Sequence, residues 1–235
     1  MLCRVGSIRP RVAATACIAA VALVAGGGAR AATGGNQEKL RLTQAGQASA
    51  RAAVVHEADL NSNWVGGISQ PPPDPHAHVP CAGVLRWSPK ESDIVVTGAA
   101  QAHYSISRVV ELASFAQSVR TPGMAIRGWQ RWATGMFVPC LRAAIAAPGV
   151  PVTSVGRMSF PAVGSFRAAY RAIAGGRAQG PYQFVQDWIL IAQDCVRLHL
   201  IVTTYRVYEA VVSKLERQLA TVLAARAAAA CVGSA

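Results

Sequence analysis

One short loop carries residue types that bind metal ions. Asp74, His76, His78 and Cys81 lie within eight positions, among prolines that exclude a helix or a strand. Alternating histidines can present two imidazoles to one metal, and Asp74 could add a carboxylate. The pattern lacks a third fixed ligand, however, and a disulfide-bonded Cys81 would be no thiolate. We therefore interpret the loop as solvated and expect no metal and no cofactor, with His76 and His78 as weak candidates.

Candidate acid–base residues are scattered. His103 ends a predicted strand, His199 lies on the polar face of another, and Glu111 has no acidic partner nearby in sequence. Glu57 and Asp59 are close together at a predicted helix end, without forming an acid–base pair by spacing. Nucleophile motifs and phosphate-binding glycine loops are absent from the sequence. We expect no catalytic residue; the alternative is an envelope hydrolase in which His103 or His199 meets a serine or a carboxylate in the fold.

Two tryptophans are the candidates for lining a ligand cleft. Trp129 and Trp132 lie three positions apart on a helix that is predicted to begin at Pro122. Their large apolar rings favour a place in the core, while the indole N–H also suits the wall of a cleft. Both interpretations stay open, and we favour the core.

The first residues have the features of a secretory signal peptide. Arg4, Arg9 and Arg11 form a basic start, Val12–Val24 is apolar, and Ala29–Ala31 fits a cleavage site. The apolar run is too short for a typical transmembrane helix. We therefore expect a secreted, extracytoplasmic protein that contacts a membrane only if the signal stays uncleaved.

Cleavage sets the domain organisation and the charge. We expect a signal peptide over 1–31, a flexible N-terminus over 32–37, one domain over 38–231 with a loop at 65–90, and a tail over 232–235. The signal contains four of the 23 Lys and Arg residues and none of the 11 acids, which leaves a mature net charge of +8. No basic cluster has interleaved aromatic residues, so nucleic acid is not an expected partner. An unknown small molecule or an anionic envelope component is expected instead.

The C-terminal part predicts a hairpin followed by a long helix. The strands Phe184–Ala192 and Val196–Thr204 are joined by a tight turn at Gln193-Asp194. The helix Val207–Arg226 has an apolar face and a polar face. The predicted apolar face contains Val207, Val211, Leu215, Leu219, Val222 and Leu223, and the polar face contains Glu209, Lys214, Glu216 and Arg217.

Four cysteines remain after the signal peptide, which in an exported chain predicts two disulfides. A nine-residue strand and a twenty-residue helix both span about 30 Å, so the last helix should end near the start of the last strand. This geometry pairs Cys195 with Cys231, and elimination then pairs Cys81 with Cys140.

The remaining pattern predicts an α+β fold, a mainly antiparallel sheet with helices packed on it and two disulfides. The segment Arg108–Ser118 fits a helix or a strand, and we favour the strand. The other predicted elements are a first helix Lys39–His56, strands Ile94–Tyr104, Val152–Phe160 and Val163–Ala174, and helices from Pro122 and over Pro139–Ala146.

Several short motifs accompany this layout: Asp59, Leu60 and Trp64 after the first helix, Cys81, Thr97-Gly98 in the first strand, and Trp129, Trp132 and Cys140. On these motifs, residues 38–230 resemble the extracytoplasmic domains of actinobacterial secreted proteins and lipoproteins, and the extracellular sensor domain of the mycobacterial receptor Ser/Thr kinase H. The resemblance implies two disulfides and a ligand cleft over the sheet. It favours an exported, non-enzymatic ligand-binding or sensor-like domain of the bacterial cell envelope. A structural, basic envelope-associated protein is a further alternative.

Overall fold

The computed structural model describes residues 38–69, 93–107, 109–133, 137–146, 150–175 and 183–231, and contains eight strands and four α-helices within them. The strands are β1 (Lys39–Leu40), β2 (Val65–Ser69), β3 (Val95–Ile106), β4 (Val110–Val119), β5 (Val152–Arg157), β6 (Phe166–Ala174), β7 (Phe184–Gln193) and β8 (Val196–Tyr205). The helices are α1 (Gln44–Ala52), α2 (Pro122–Trp132), α3 (Phe137–Ile145) and α4 (Glu209–Cys231).

All eight strands join one sheet, in the order β1-β3-β4-β8-β7-β6-β5, with β2 also pairing with β3. β3 and β4 form a hairpin, and β5 to β8 form a meander. β8 pairs with β4 and so joins the two parts into one sheet. The short contact between β1 and β3 is parallel, and the other pairings are antiparallel. The predicted α+β class with a mainly antiparallel sheet is confirmed.

The helices cover the two faces of the sheet in pairs. α1 and α4 pack on one face, and α2 and α3 pack on the other. Because successive strand residues point to opposite sides, Leu198 and Leu200 of β8 lie in the core beneath α1 and α4, while Ile201 packs with the core beneath α2 and α3. We call these the α1/α4 face and the α2/α3 face.

Two glycines let α1 approach β3 at backbone distance. A Cβ atom at Gly98 would lie 1.9 Å from the carbonyl oxygen of Gly46, and one at Gly46 would lie 2.3 Å from the carbonyl oxygen of Thr97. The pairing register of β3 with β4 shifts between Val96 and Gly98, at the same point. Larger residues at 46 or 98 would force the helix off the sheet.

The C-terminal part of α4 is bound to α1 and to the segment that follows it. The Arg226 guanidinium donates to both carboxylate oxygens of Asp59, at 2.7 and 2.5 Å. The Ser49 hydroxyl donates to the Ala230 carbonyl at 2.9 Å. Burial by itself would raise the pKa of Asp59, but the hydrogen bonds from Arg226 and from the His56 N–H outweigh it and lower that pKa.

A buried ion pair lies beneath α2. Arg197 of β8 donates to both carboxylate oxygens of Glu38, with 2.7 Å between Nη1 and Oε1, and its Nε donates to Gln117 at 2.8 Å. Arg131 of α2 lies 3.6 Å from the same Glu38 carboxylate. The guanidinium of Arg197 passes directly under Gly128, where a Cβ atom would lie 1.9 Å from Nη1.

The predicted apolar face of the last helix is right for Leu219 and Leu223, which are buried, and wrong for the three valines. Val207, Val211 and Val222 are 69%, 75% and 37% exposed, whereas Glu216, predicted to be outside, is 1% exposed. Smaller side chains form much of the true inner face and allow α4 to pack close to α1. That inner face contains Val212, Glu216, Leu219, Ala220, Leu223, Ala224 and Ala227.

The N-terminal elements also differ from the prediction. The first helix begins at Gln44, capped by Thr43, because the preceding residues pair with β3 as β1, where the Lys39 N–H donates to the Ile94 carbonyl at 2.9 Å. The predicted loop over 65–90 begins instead as β2. β2 is an edge strand with exposed side chains and two glycines, so it has no burial pattern that sequence could reveal.

Several predictions fall on residues outside the described ranges. These include the signal peptide, the candidate metal loop, Cys81 and the side chain of Cys231. Cys140 and Cys195 are buried and disulfide-bonded, but their pairing stays a prediction. Within the described ranges, no helix combines the length and hydropathy that crossing a membrane requires.

Candidate functional site

Four polar side chains form a line across the α2/α3 face of the sheet. Ser105 of β3 pairs with Glu111 of β4, Glu111 pairs with Thr203 of β8, and Thr203 pairs with Gln186 of β7. We call these four residues the polar row. With strands about 4.8 Å apart, the row is about 14 Å long. All four residues are half-buried.

α2 and α3 leave this part of the sheet outside their cores. α2 packs mainly on β7, β8 and the end of β4, and α3 packs on β5 and β6. None of the polar row belongs to the apolar core beneath these helices, which ends at Trp188 of β7 and Ile201 of β8. The exposed His103 lies on β3 beside the row, two residues before Ser105.

Aromatic rings border the row and hydrogen bonds orient it. Phe184 and Tyr205 stack at one side, with 4.7 Å between ring centroids. On the other side, the indole N–H of Trp188 donates to Oε1 of Gln186 at 2.9 Å. Gln186 in turn donates from Nε2 to the Thr203 hydroxyl at 3.0 Å. These bonds hold the amide of Gln186 and the hydroxyl of Thr203 beside aromatic surface, and Glu111 and Ser105 continue the row.

The two candidate cleft tryptophans lie in the core beneath α2. Trp132 is 4% exposed and packs edge-on against Phe137 and His199. Trp129 is half-buried, contacts Phe166, and donates its indole N–H to the Leu190 carbonyl at 3.2 Å. Both rings therefore make packing contacts, and a role in lining a ligand cleft stays a prediction.

The histidines considered for catalysis lie apart from each other. His199 faces Trp132 on the α2/α3 face, and burial, with a smaller contribution from the charge of Arg197, lowers its pKa to about 3. His103 is exposed. Within the described ranges, neither ring hydrogen-bonds to a serine or a carboxylate, and no three His, Cys, Asp or Glu side chains are placed to hold a metal ion.

A second polar cluster lies on the opposite face, beneath the first turns of α4. Arg171 of β6 donates to both oxygens of Asp187 on β7, at 2.7 and 2.5 Å, and also pairs with Glu209 at the start of α4. Glu216 of α4 lies near Asp187, whose charge acts on its carboxyl group. We call these four residues the acid cluster.

Glu216 is the unusual member of the acid cluster. Burial is the main cause that raises its pKa, to about 8, and the neighbouring Asp187 charge adds to the shift. Among the residues that the structure describes, its buried Oε2 atom has no hydrogen-bond partner. Asp187 is 2% exposed, whereas the side chains of Arg171 and Glu209 are 23% and 32% exposed and lie at the rim.

Sequence reasoning missed the polar row and the acid cluster for different reasons. Glu111 has no acidic neighbour in sequence. Its neighbours in space, Ser105 and Thr203, belong to other strands, and only the pairing register of the sheet reveals them. Gln186 and Asp187 interrupt an otherwise apolar run, Phe184–Ala192, which is an available signal for buried polar groups. Glu216 was assigned to the polar face because the exposed valines dominate the periodicity of α4.

No family model matches this chain, and neither a curated protein nor a solved structure matches it. The resemblance to actinobacterial extracytoplasmic domains therefore rests on sequence motifs alone. The structure does give one of those motifs a physical role. Asp59 binds Arg226, while Leu60 and Trp64 pack against the core beneath α1 and α4.

Proposed function

We propose that this chain is an exported, non-enzymatic ligand-binding or sensor-like domain of the bacterial cell envelope. The observation that carries the proposal is the polar row, which four neighbouring strands present where α2 and α3 do not cover the sheet. The signal-peptide features of residues 1–31 support export. The motif resemblance supports a place in the envelope.

The chemistry of the polar row favours a small polar ligand with hydroxyl or amide groups. Gln186, Thr203 and the other row residues offer both donors and acceptors. The aromatic pair Phe184 and Tyr205 offers an apolar surface beside them. An anionic envelope polymer would be repelled by Glu111, so it would have to bind the basic surface elsewhere on the chain.

Two disulfides belong to this proposal. We infer the pairs Cys81–Cys140 and Cys195–Cys231, since four cysteines remain after signal cleavage. The oxidised state of Cys140 and Cys195 supports an extracytoplasmic location. Closing such long loops would stabilise the domain by roughly 4 kcal/mol for each bond in the chain-entropy estimate.

Nuclear magnetic resonance of the mature chain, residues 32–235, tests the ligand surface. A neutral N-acetylglucosamine oligomer, which carries sugar hydroxyls and acetamide groups, is the probe. Its addition should shift the amide signals of Glu111 and Thr203. Glu111→Gln and Thr203→Val should each weaken binding at least tenfold, because the first replaces a charged acceptor oxygen with an amide donor and the second removes a hydroxyl. Thr153→Val, on the distant edge strand β5, is the matched control and should bind normally.

Other outcomes would contradict the proposal. Shifts confined to a surface away from the row, or binding that survives both row substitutions, would place the ligand site elsewhere. Binding of dextran sulfate alone, unaffected by the row variants, would favour a structural, basic envelope protein. Export is tested separately by N-terminal sequencing of the secreted chain, which should begin at Ala32 or within a residue or two, and retention of Met1 would refute it.

A further inference from the structure

We propose that Glu216 is a protonation-dependent latch that holds the first half of α4 on the sheet. The inference rests on the acid cluster, on the α1/α4 face, and is independent of any ligand at the polar row. Three observations support it: the placement of the Glu216 carboxyl, the groups that face it, and the uneven burial of α4.

The carboxyl of Glu216 is enclosed beside another carboxylate. Asp187 faces it from β7 and already receives two hydrogen bonds from Arg171 of β6. A protonated Glu216 can donate a hydrogen bond to the neighbouring Asp187 carboxylate, and this favours the protonated form. An ionised Glu216 would place a second negative charge beside Asp187, and no described residue donates to its buried Oε2 atom.

The surrounding charges do not remove this conflict. Arg171 is committed to Asp187 and Glu209, and Glu209 adds a further negative charge from the first turn of α4. Arg217, next to Glu216 on the helix, favours ionisation but is exposed. From β8, this face receives the apolar Leu198, Leu200 and Val202 and the buried Thr204, whose hydroxyl donates to the Val109 carbonyl.

The two halves of α4 are held to the body by very different contacts. In residues 209–218 the buried side chains are Val212 and Glu216. In residues 219–230 five apolar side chains are buried, and Arg226 is bound to Asp59. Loss of the Glu216 contact would therefore release the first half of the helix before the second.

The direction of the effect follows from the raised pKa of Glu216. An unfolded or detached Glu216 ionises near pH 4.5, whereas the docked residue keeps its proton until about pH 8. The docked form thus binds more protons, so its advantage is complete at acidic pH and is lost as pH rises towards 8. One proton released can change a local opening equilibrium by up to tenfold per pH unit.

Amide hydrogen exchange of the mature chain, corrected for the intrinsic pH dependence of exchange, tests the latch. Between pH 6 and pH 9, protection in residues 209–218 should fall at least tenfold, while protection in residues 219–230 stays constant. In Glu216→Gln, which keeps the shape and removes the charge, protection of the first half should not vary with pH. Glu57→Gln, at an exposed position outside the cluster, is the control and should behave as wild type.

A second variant keeps the test decisive if Glu216→Gln fails to fold. Asp187→Asn removes the competing charge and leaves Arg171 to pair with an ionised Glu216, so the alkaline loosening should disappear. The same pH-dependent loss in wild type and in Glu216→Gln would overturn the proposal. Equal loss in both halves of α4, or no loss in the wild type, would overturn it as well.

Discussion

Replacing Gly128 with alanine should force the buried Arg197 out of its place beneath α2. The new Cβ would lie 1.9 Å from Nη1, whereas ordinary contact begins at 3.4 Å, so the guanidinium would have to move by about 1.5 Å. Such a shift lengthens the 2.7 Å hydrogen bond to Glu38 and the 2.8 Å hydrogen bond to Gln117.

The expected cost is large because both partners are buried. Breaking a buried ion pair destabilises a protein by about 3–5 kcal/mol. If α2 shifts instead, overpacking costs about 1–3 kcal/mol. The better helix propensity of alanine offsets about 1 kcal/mol. We therefore expect Gly128→Ala to lower the free energy of unfolding by about 2–4 kcal/mol at pH 7.

Urea unfolding of the mature chain, followed by tryptophan fluorescence, measures this change. Gly123→Ala is the matched control in the same helix, since its Cβ would meet only Nη1 of Arg127 at 3.5 Å. The control should be neutral or stabilised by up to about 1 kcal/mol. Equal stability of the two variants would show that Arg197 is not confined by Gly128, and the argument would fail.

Three further predictions concern charge and covalent structure. Arg226→Gln should lower the free energy of unfolding by about 1–2 kcal/mol at pH 7. This cost should shrink below about pH 4, because the pKa of Asp59 is lowered and the stability from the ion pair is lost as pH falls through that pKa. An unchanged difference between variant and wild type at pH 2.5 would contradict this. His199 has a pKa lowered to about 3, so its ring resonances should stay constant from pH 8 to about pH 4. The free energy of unfolding should fall as pH drops from about 6.5 towards 3, because the unfolded chain takes up the proton first. A ring titration near pH 6.5 would refute the buried placement of His199. Non-reducing peptide mapping should recover Cys81–Cys140 and Cys195–Cys231, and a Cys140–Cys195 peptide would refute the pairing.

Much of the fold follows from the local sequence pattern. The hairpin β7–β8 is present. Its turn is Asp194-Cys195, one residue later than the predicted Gln193-Asp194, and Asp194 has a φ of 48°. The segment that fitted either a helix or a strand is β4, since its alternate residues Val110, Leu112 and Ala116 fill the core beneath α1 and α4. Regular alternation of apolar residues reports the buried face of a strand directly, and these strands are largely buried.

The candidate site could not be predicted in the same way. The polar row exists only because β8 pairs with both β4 and β7, and that order is a tertiary property. Glu216 is buried because α4 turns its small side chains towards α1, whereas hydrophobicity alone favours the face with Val211. Local patterns identify strands and helices, but they do not determine which polar residues become neighbours.

The contacts between α1 and α4 have a consequence for how the chain acquires its structure. The residues joined by the Ser49–Ala230 hydrogen bond are 181 positions apart, and those joined by the Asp59–Arg226 pair are 167 apart. Contacts between such distant positions form slowly, since a long loop must close first. Until the last thirty residues have been synthesised, the apolar surface beneath α4 has no cover. A growing chain must therefore be kept from aggregating through that surface, and a C-terminal truncation should be recognised by quality-control proteases rather than accumulate as a smaller domain.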